Sequence, residues 1–306
     1  MRNLWFVNNG AANVSMIYYS NNTLALNKVS GGTGLVIVGS SPIGVAITPN
    51  GLYAYVTNQG SNTVSVVSTS SDSVVSTISV GTDPDGIAIT PNGQYAYVAN
   101  YNSNSVSVIS TSSNSVVATI TSGTNPRGIA ITPNGQYAYV ANYNSNSVSV
   151  ISTSSNSVVA TIPVGSGPSG VAITPNGQYA YVANYNSNSV SVISTSSNSV
   201  VATIPIGTNP TGVAVTPNGQ YAYVANFIGN SVSVIYTSSN SVVATVPIGT
   251  NPRGVTITPN GQYAYTANAG NSISVVSTSS NSVVTTITGT PANPCGINYG
   301  PLGSVC

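Results

Sequence analysis

The chain has 306 residues and almost no charge: Arg2, Lys28, Arg127 and Arg253 stand against Asp72, Asp83 and Asp85, with no Glu and no His. No basic patch exists to neutralise phosphates, which argues against a nucleic-acid partner, and no apolar run reaches the roughly 18–20 residues needed for membrane insertion. Low charge with few β-branched residues would mean disorder, but Val, Ile, Thr and Tyr dominate here, which is the composition of a packed β protein.

At the start, Arg2 is followed by Asn3 and the apolar stretch 4–7 is too short for a signal peptide, so the expectation is a mature chain or another route of export. LWFVNN (4–9), VSMIYY (14–19) and TGLVIVG (33–39) then read as three strands, the last two joined by a longer passage, NNTLALNKVSGG (21–32). Asn13-Val14-Ser15 and Asn21-Asn22-Thr23 fit the N-glycosylation pattern.

A period of forty-two residues follows: Pro-Asn-Gly begins at Pro49, Pro91, Pro133, Pro175, Pro217 and Pro259. The stretch QYAYVANYNSNSVSVISTSSNSVVATI recurs unchanged at 94–120, 136–162 and 178–204. Such a period signals a solenoid, propeller or array. Within one repeat GIAIT (86–90), QYAYVAN (94–100), SVSVIS (105–110) and SVVATI (115–120) are strands. They are separated by Pro91-Asn92-Gly93, suited to the positive φ of a tight hairpin, a polar YNSN loop (101–104) and a TSSN turn (111–114). Tyr95, Tyr97 and Ala99 point to one face and Ala96 and Val98 to the other, so a bulky face meets a shallow one on the next sheet. Two buried faces are the requirement of a propeller blade, with the Tyr hydroxyls bonded to nearby Ser, Thr or Asn.

First strands recur at 44–48, 86–90, 128–132, 170–174, 212–216, 254–258 and 296–300. The last has no successors, and the three N-terminal strands have no first strand. The predicted fold is therefore all-β, a single-domain seven-bladed propeller (1–306) of four-stranded antiparallel blades. Its closing blade joins 296–300 to 1–39.

The tetrapeptide Tyr55-Val56-Thr57-Asn58, its YVAN variants and the GVAxTPxG stretch at 44–51 resemble the YVTN family of β-propeller repeats over nearly the whole chain. That resemblance implies a secreted or cell-surface protein of archaea or bacteria and says little about activity.

Cys295 takes the place of Arg127 or Arg253 in NPxG, and Cys306 ends the chain. A Cys295–Cys306 disulfide would staple the free end at the seam in an oxidising compartment, the alternatives being two thiols or a bond to another chain. The residue before each first-strand Gly varies most informatively: Ile43, Asp85, Arg127, Ser169, Thr211, Arg253 and Cys295. These positions are expected at the entrance to the central channel. There Asp83 and Asp85 face Arg127 as an ion pair between blades or as part of a polar site for a sugar or peptide, while Arg253 has no evident acidic partner.

With no His, no Glu and scattered Asp, the residues offer no base for a nucleophilic Ser and no metal cluster, so the reading is a non-enzyme without cofactor. The expected role is an extracellular structural protein that self-associates, or joins other surface proteins, in a surface layer, appendage or filament. The rivals are an adhesion or glycan-binding module centred on Asp85, Arg127 and Arg253, and a protein-interaction scaffold. With so few titratable groups, stability is expected to change little from neutral pH into acid.

Overall fold

The computed structural model describes residues 2–20, 23–24, 35–290 and 292–299. These form seven antiparallel sheets arranged as the blades of a propeller. Blades 1 to 6 span residues 42–79, 84–121, 126–163, 168–205, 210–247 and 252–288, and each holds four strands in sequential order from the channel outward. The seventh combines Pro294–Tyr299 with Arg2–Asn8 and Asn13–Ser20. Leu4 pairs with Tyr299 and Phe6 with Ile297, so the two chain ends meet in one sheet, as expected.

The outer position of this seam blade differs from the others. Two short strands, Thr23–Leu24 and Leu35–Ile37, pair with opposite ends of Asn13–Ser20 instead of one continuous strand. Most of the predicted longer passage between them lies outside the described residues. Among the described residues no helix is long and apolar enough to cross a membrane.

The alternating pattern explains why the sheets stack. Ala88, Tyr97, Val106, Val108 and Ile120 of blade 2 pack on Ile129, Ala138, Val140 and Ile151 of blade 3, and the same arrangement recurs round the ring. Tyr97 is fully buried, and removing such a ring from water contributes about 2 kcal/mol. Its hydroxyl reaches the rim and donates to Asn156 Oδ1 of the next blade at 2.7 Å. Tyr55, Tyr139, Tyr181 and Tyr223 donate likewise to Asn114, Asn198, Asn240 and Asn281. At the seam Trp5 packs towards blade 1, and Leu4 and Phe6 pack towards blade 6.

Each second strand ends in a buried Asn whose amide ties the hairpin to the third strand. Asn184 Nδ2 donates to Ser189 Oγ at 3.1 Å and Ser191 Oγ at 2.9 Å. The Pro-Asn-Gly turn is built differently from the tight hairpin expected. Gly93 N donates to Thr90 O at 2.7 Å across Pro91 and Asn92, and only Gly93 has positive φ, +72°. Left-handed Asn residues sit instead at the ends of the other two turns, Asn104 and Asn114, and in the connection to the next blade, Asn125. Asn tolerates that region at low cost because its side chain bonds locally.

Candidate functional site at the channel mouth

Every inner strand carries a bulge. In blade 2, Ile87 pairs with Val98 and Pro84 with Asn100, so Asp85 and Gly86 together oppose the single residue Ala99. The same register shift recurs in the other five repeats and at the seam. A bulge leaves one residue out of the ladder and re-aims its side chain. Here it turns Ile43, Asp85, Arg127, Ser169, Thr211, Arg253 and Cys295 onto the channel mouth.

The glycine beside each of these residues lets neighbouring blades approach backbone to backbone. A Cβ at Gly170 would stand 2.3 Å from Thr211 O, and one at Gly296 would stand 2.2 Å from Ile43 O. The latter contact closes the ring between the seam blade and blade 1.

Above this ring lies a cavity of about 330 Å³. Its wall also includes Tyr101, Tyr143, Tyr185 and Phe227, the first loop residues after the second strands of blades 2 to 5. The corresponding residues elsewhere are Gln59, Ala269 and Asn9, so the aromatic lining is an arc on one side only. Tyr143 and Tyr185 have ring centroids 6.2 Å apart, and Tyr185 and Phe227 6.4 Å apart, each pair tilted. The segment expected as a polar loop thus presents four rings at one repeat position, a pattern visible in the sequence itself.

The charged residues divide clearly. Arg127 Nε lies 3.3 Å from Asp85 Oδ2 of the preceding blade, and its guanidinium carbon sits 5.4 Å from the Tyr101 ring centre and 4.8 Å from that of Tyr143. Its Nε–H does not point at the carboxylate, so the contact is Coulombic more than a hydrogen bond. Arg253 stands 5.4 Å from the Phe227 ring centre, has no acidic partner among the described residues, and its buried Nε finds no acceptor there. Two guanidiniums against one carboxylate leave one formal positive charge at the mouth.

Thr211 belongs to the mouth, but its hydroxyl donates to Arg253 O at 2.8 Å. Ser169 lines the cavity between Arg127 and Thr211 in ring order. Asp83, expected beside Arg127, does not line the cavity. It occupies the left-handed turn position held by Asn125, Asn209, Asn251 and Asn293 in four other repeats, and its carboxylate accepts from Asn102 Nδ2 in the loop. Cys295 is buried, with Sγ 3.5 Å from Pro42 O and 3.6 Å from Ile43 O. The expected pairing with Cys306 lies outside the described residues, as does Asn21 of the second acceptor pattern. Asn13, of the first, spends its amide on Ala11 O at 3.0 Å and accepts from Asn8. No cluster of three metal-ligating side chains occurs among the described residues.

A family model, that of the virginiamycin B lyase family, matches residues 33–306. The chain belongs to the virginiamycin B lyase family. The repeat-propeller content of the YVTN resemblance stands with it, while the family that matches is the lyase family. No curated protein matches this sequence.

Among solved structures, Kuenenia stuttgartiensis hydrazine synthase is similar at 27% identity and TM-score 0.81, over 90% of this chain and 92% of that one. A functionally unknown protein from Desulfotomaculum acetoxidans superposes with TM-score 0.83 at 19% identity, over 100% and 99% of the two chains. A proposed 6-phosphogluconolactonase from Bacteroides uniformis superposes with TM-score 0.80 at 18% identity, over 97% and 99%. The last two share the fold.

Membership of a family named for a lyase, and likeness to a protein named as a synthase, overturn the exclusion of catalysis drawn from composition. The chain lacks His and Glu, yet one cavity gathers Asp85, Arg127, Arg253, Ser169 and three tyrosines from several repeats.

Proposed function

We propose that the protein binds a small organic molecule at the channel mouth, and that this is the site of any turnover it carries out. The single observation behind this reading is the asymmetry of a ring built from near-identical repeats. The cavity-facing residues differ from blade to blade while the strands around them repeat almost unchanged, and the aromatic arc covers only blades 2 to 5. A mouth serving only to close the ring has no need of two arginines and four aromatic rings. The volume lies in the range of sites that take one small molecule, and apolar walls with a few polar groups are typical of them.

The test is a library of small neutral and charged molecules screened by ligand-observed NMR against the wild type and Ser169→Trp, which fills the mouth. A set of binders lost in the variant supports the reading. Binders indifferent to Ser169→Trp, or none at all, contradict it.

A second reading, assembly at a cell surface, rests on the outer edges of the blades. The strands Ser73–Ser79, Ser115–Thr121, Ser157–Pro163, Ser199–Pro205, Ser241–Pro247 and Ser282–Thr288 carry no charge. Val75, Val117, Val159, Val201, Val243 and Val284 are each more than half exposed along them. Natural sheets usually guard such edges with charge. Unguarded edges favour contact with copies of the chain, other surface proteins or glycans, and the YVTN resemblance favours an extracellular place for it. Electron microscopy of native material tests this: rows or filaments of discs support it, and isolated rings contradict it.

A further inference from the structure

We propose that the ligand of the channel mouth is a monocarboxylate with a flat apolar or aromatic body, its carboxylate held by Arg253 and its ring laid on Phe227 and Tyr185. This rests on the reading of the mouth as a ligand site and adds the chemistry of what it takes.

Arg127 is neutralised by Asp85 and flanked by Tyr101 and Tyr143, so its cation is already placed. Arg253 differs in its charge: it has no acidic partner among the described residues and aromatic contact on one side only, from Phe227, while its buried Nε, like that of Arg127, finds no acceptor. Arg253 is half-buried with no counter-charge beside it, and a carboxylate matches its planar fork with two parallel hydrogen bonds.

One unmatched cation takes one anionic group, so a polyanion does not fit. A neutral sugar would stack on the arc but leave Arg253 uncompensated. Position decides the rest. Arg253 lies on blade 6 beside Phe227 of blade 5, and the Tyr185 ring of blade 4 stands 6.4 Å from that of Phe227 on the far side. A ligand anchored at Arg253 therefore lays its body along the end of the arc farthest from the Arg127–Asp85 pair.

The ring itself supplies a mild variant. The position of Arg253 is Ser169 in blade 4 and Thr211 in blade 5, so Arg253→Ser and Arg253→Thr place residues the repeat already accommodates. The probes are 2-naphthoate and its neutral counterpart 2-naphthalenemethanol, titrated by calorimetry and by ligand-observed NMR. Circular dichroism and melting confirm the folding of each variant.

The acid is expected to bind the wild type and to lose about tenfold to a hundredfold in affinity in both Arg253 variants, as for loss of a charge-assisted pair. The alcohol is expected to bind wild type and Arg253 variants alike, and Ser169→Trp is expected to abolish both. Acid and alcohol binding equally in the wild type and the Arg253 variants, with both lost in Ser169→Trp, overturns the anion assignment and leaves the mouth as a ligand site. Acid binding that survives both Arg253→Ser and Ser169→Trp places the probe elsewhere and overturns the assignment. Failure of both probes to bind the wild type overturns it together with the reading it rests on.

Discussion

Replacing Gly170 by alanine probes the inner ring with a single methyl group. The added Cβ would meet Thr211 O at 2.3 Å, Gly212 Cα at 3.1 Å and Thr211 C at 3.2 Å. Ordinary C···O contacts begin at about 3.3 Å, so blades 4 and 5 must separate by about 1 Å at their inner edge. The obstacle is backbone, which cannot swing aside as the end of a side chain can. The ring is also closed at Gly296 and Ile43, so the displacement has no open end through which to relax.

Overpacking a tight contact costs about 1–3 kcal/mol, and a backbone obstacle puts this case near the top, about 3 kcal/mol. A chain of this size loses about 2 °C per kcal/mol, so the melting temperature should fall by about 6 °C. Gly170 does not have positive φ, so the loss is steric and not conformational. Ser169→Ala on the same bulge is the control, expected to change stability by less than about 0.5 kcal/mol. Differential scanning calorimetry of the three proteins decides. A Gly170→Ala protein melting with the control would refute the account of blade contact through glycine.

Burial pushes the hydroxyls of Tyr55, Tyr97, Tyr139, Tyr181 and Tyr223 up to about 12, with a smaller push from the neighbouring tyrosine two residues earlier in each case. The folded state favours their neutral form, so this stabilisation is complete below the ordinary value of 10.0 and is lost as pH rises through about 12. Phenolate absorbance should therefore gain its final portion together with alkaline unfolding, and its completion while circular dichroism remains native would contradict the burial. Asn184→Ala removes two buried bonds to Ser189 and Ser191, and urea denaturation should show a loss of about 2 kcal/mol; an unchanged midpoint would mean that these amides do not tie the hairpins. In acid, three aspartates with no Glu and no His leave little to protonate. The melting temperature should change little between neutral and strongly acidic pH, and a steep fall would contradict this.

The repeat made the blades legible because one period carries all four strands, with large and small residues alternating on strands buried on both faces. Closure was legible because the first-strand pattern at 296–300 lacked successors and the strands at 4–9 and 14–19 lacked a predecessor. Variation at the residue before each first-strand Gly, from Ile43 through Asp85, Arg127, Ser169, Thr211 and Arg253 to Cys295, marked the mouth, since the strands around it repeat almost unchanged. The bulge was not legible: Pro84 pairs with Asn100 only because Asp85 and Gly86 leave the ladder together, and strand periodicity gives no sign of that slip. Asp83 was misplaced for the same reason, being read as a neighbour of Asp85 when it holds a left-handed turn. Nor was the aromatic arc legible, because Tyr101 and its counterparts stand among Asn and Ser and acquire a common surface only when adjacent blades bring them side by side. Catalytic residue types are sought along the chain, whereas the cavity at the mouth is assembled from residues of distant repeats that converge only on folding.

The most direct measurement is a crystal structure of the protein soaked with 2-naphthoate. The account predicts density in the channel mouth, with the carboxylate within hydrogen-bond distance of Arg253 and the ring against Phe227. An empty mouth with the probe on the outer edges of the blades would contradict it.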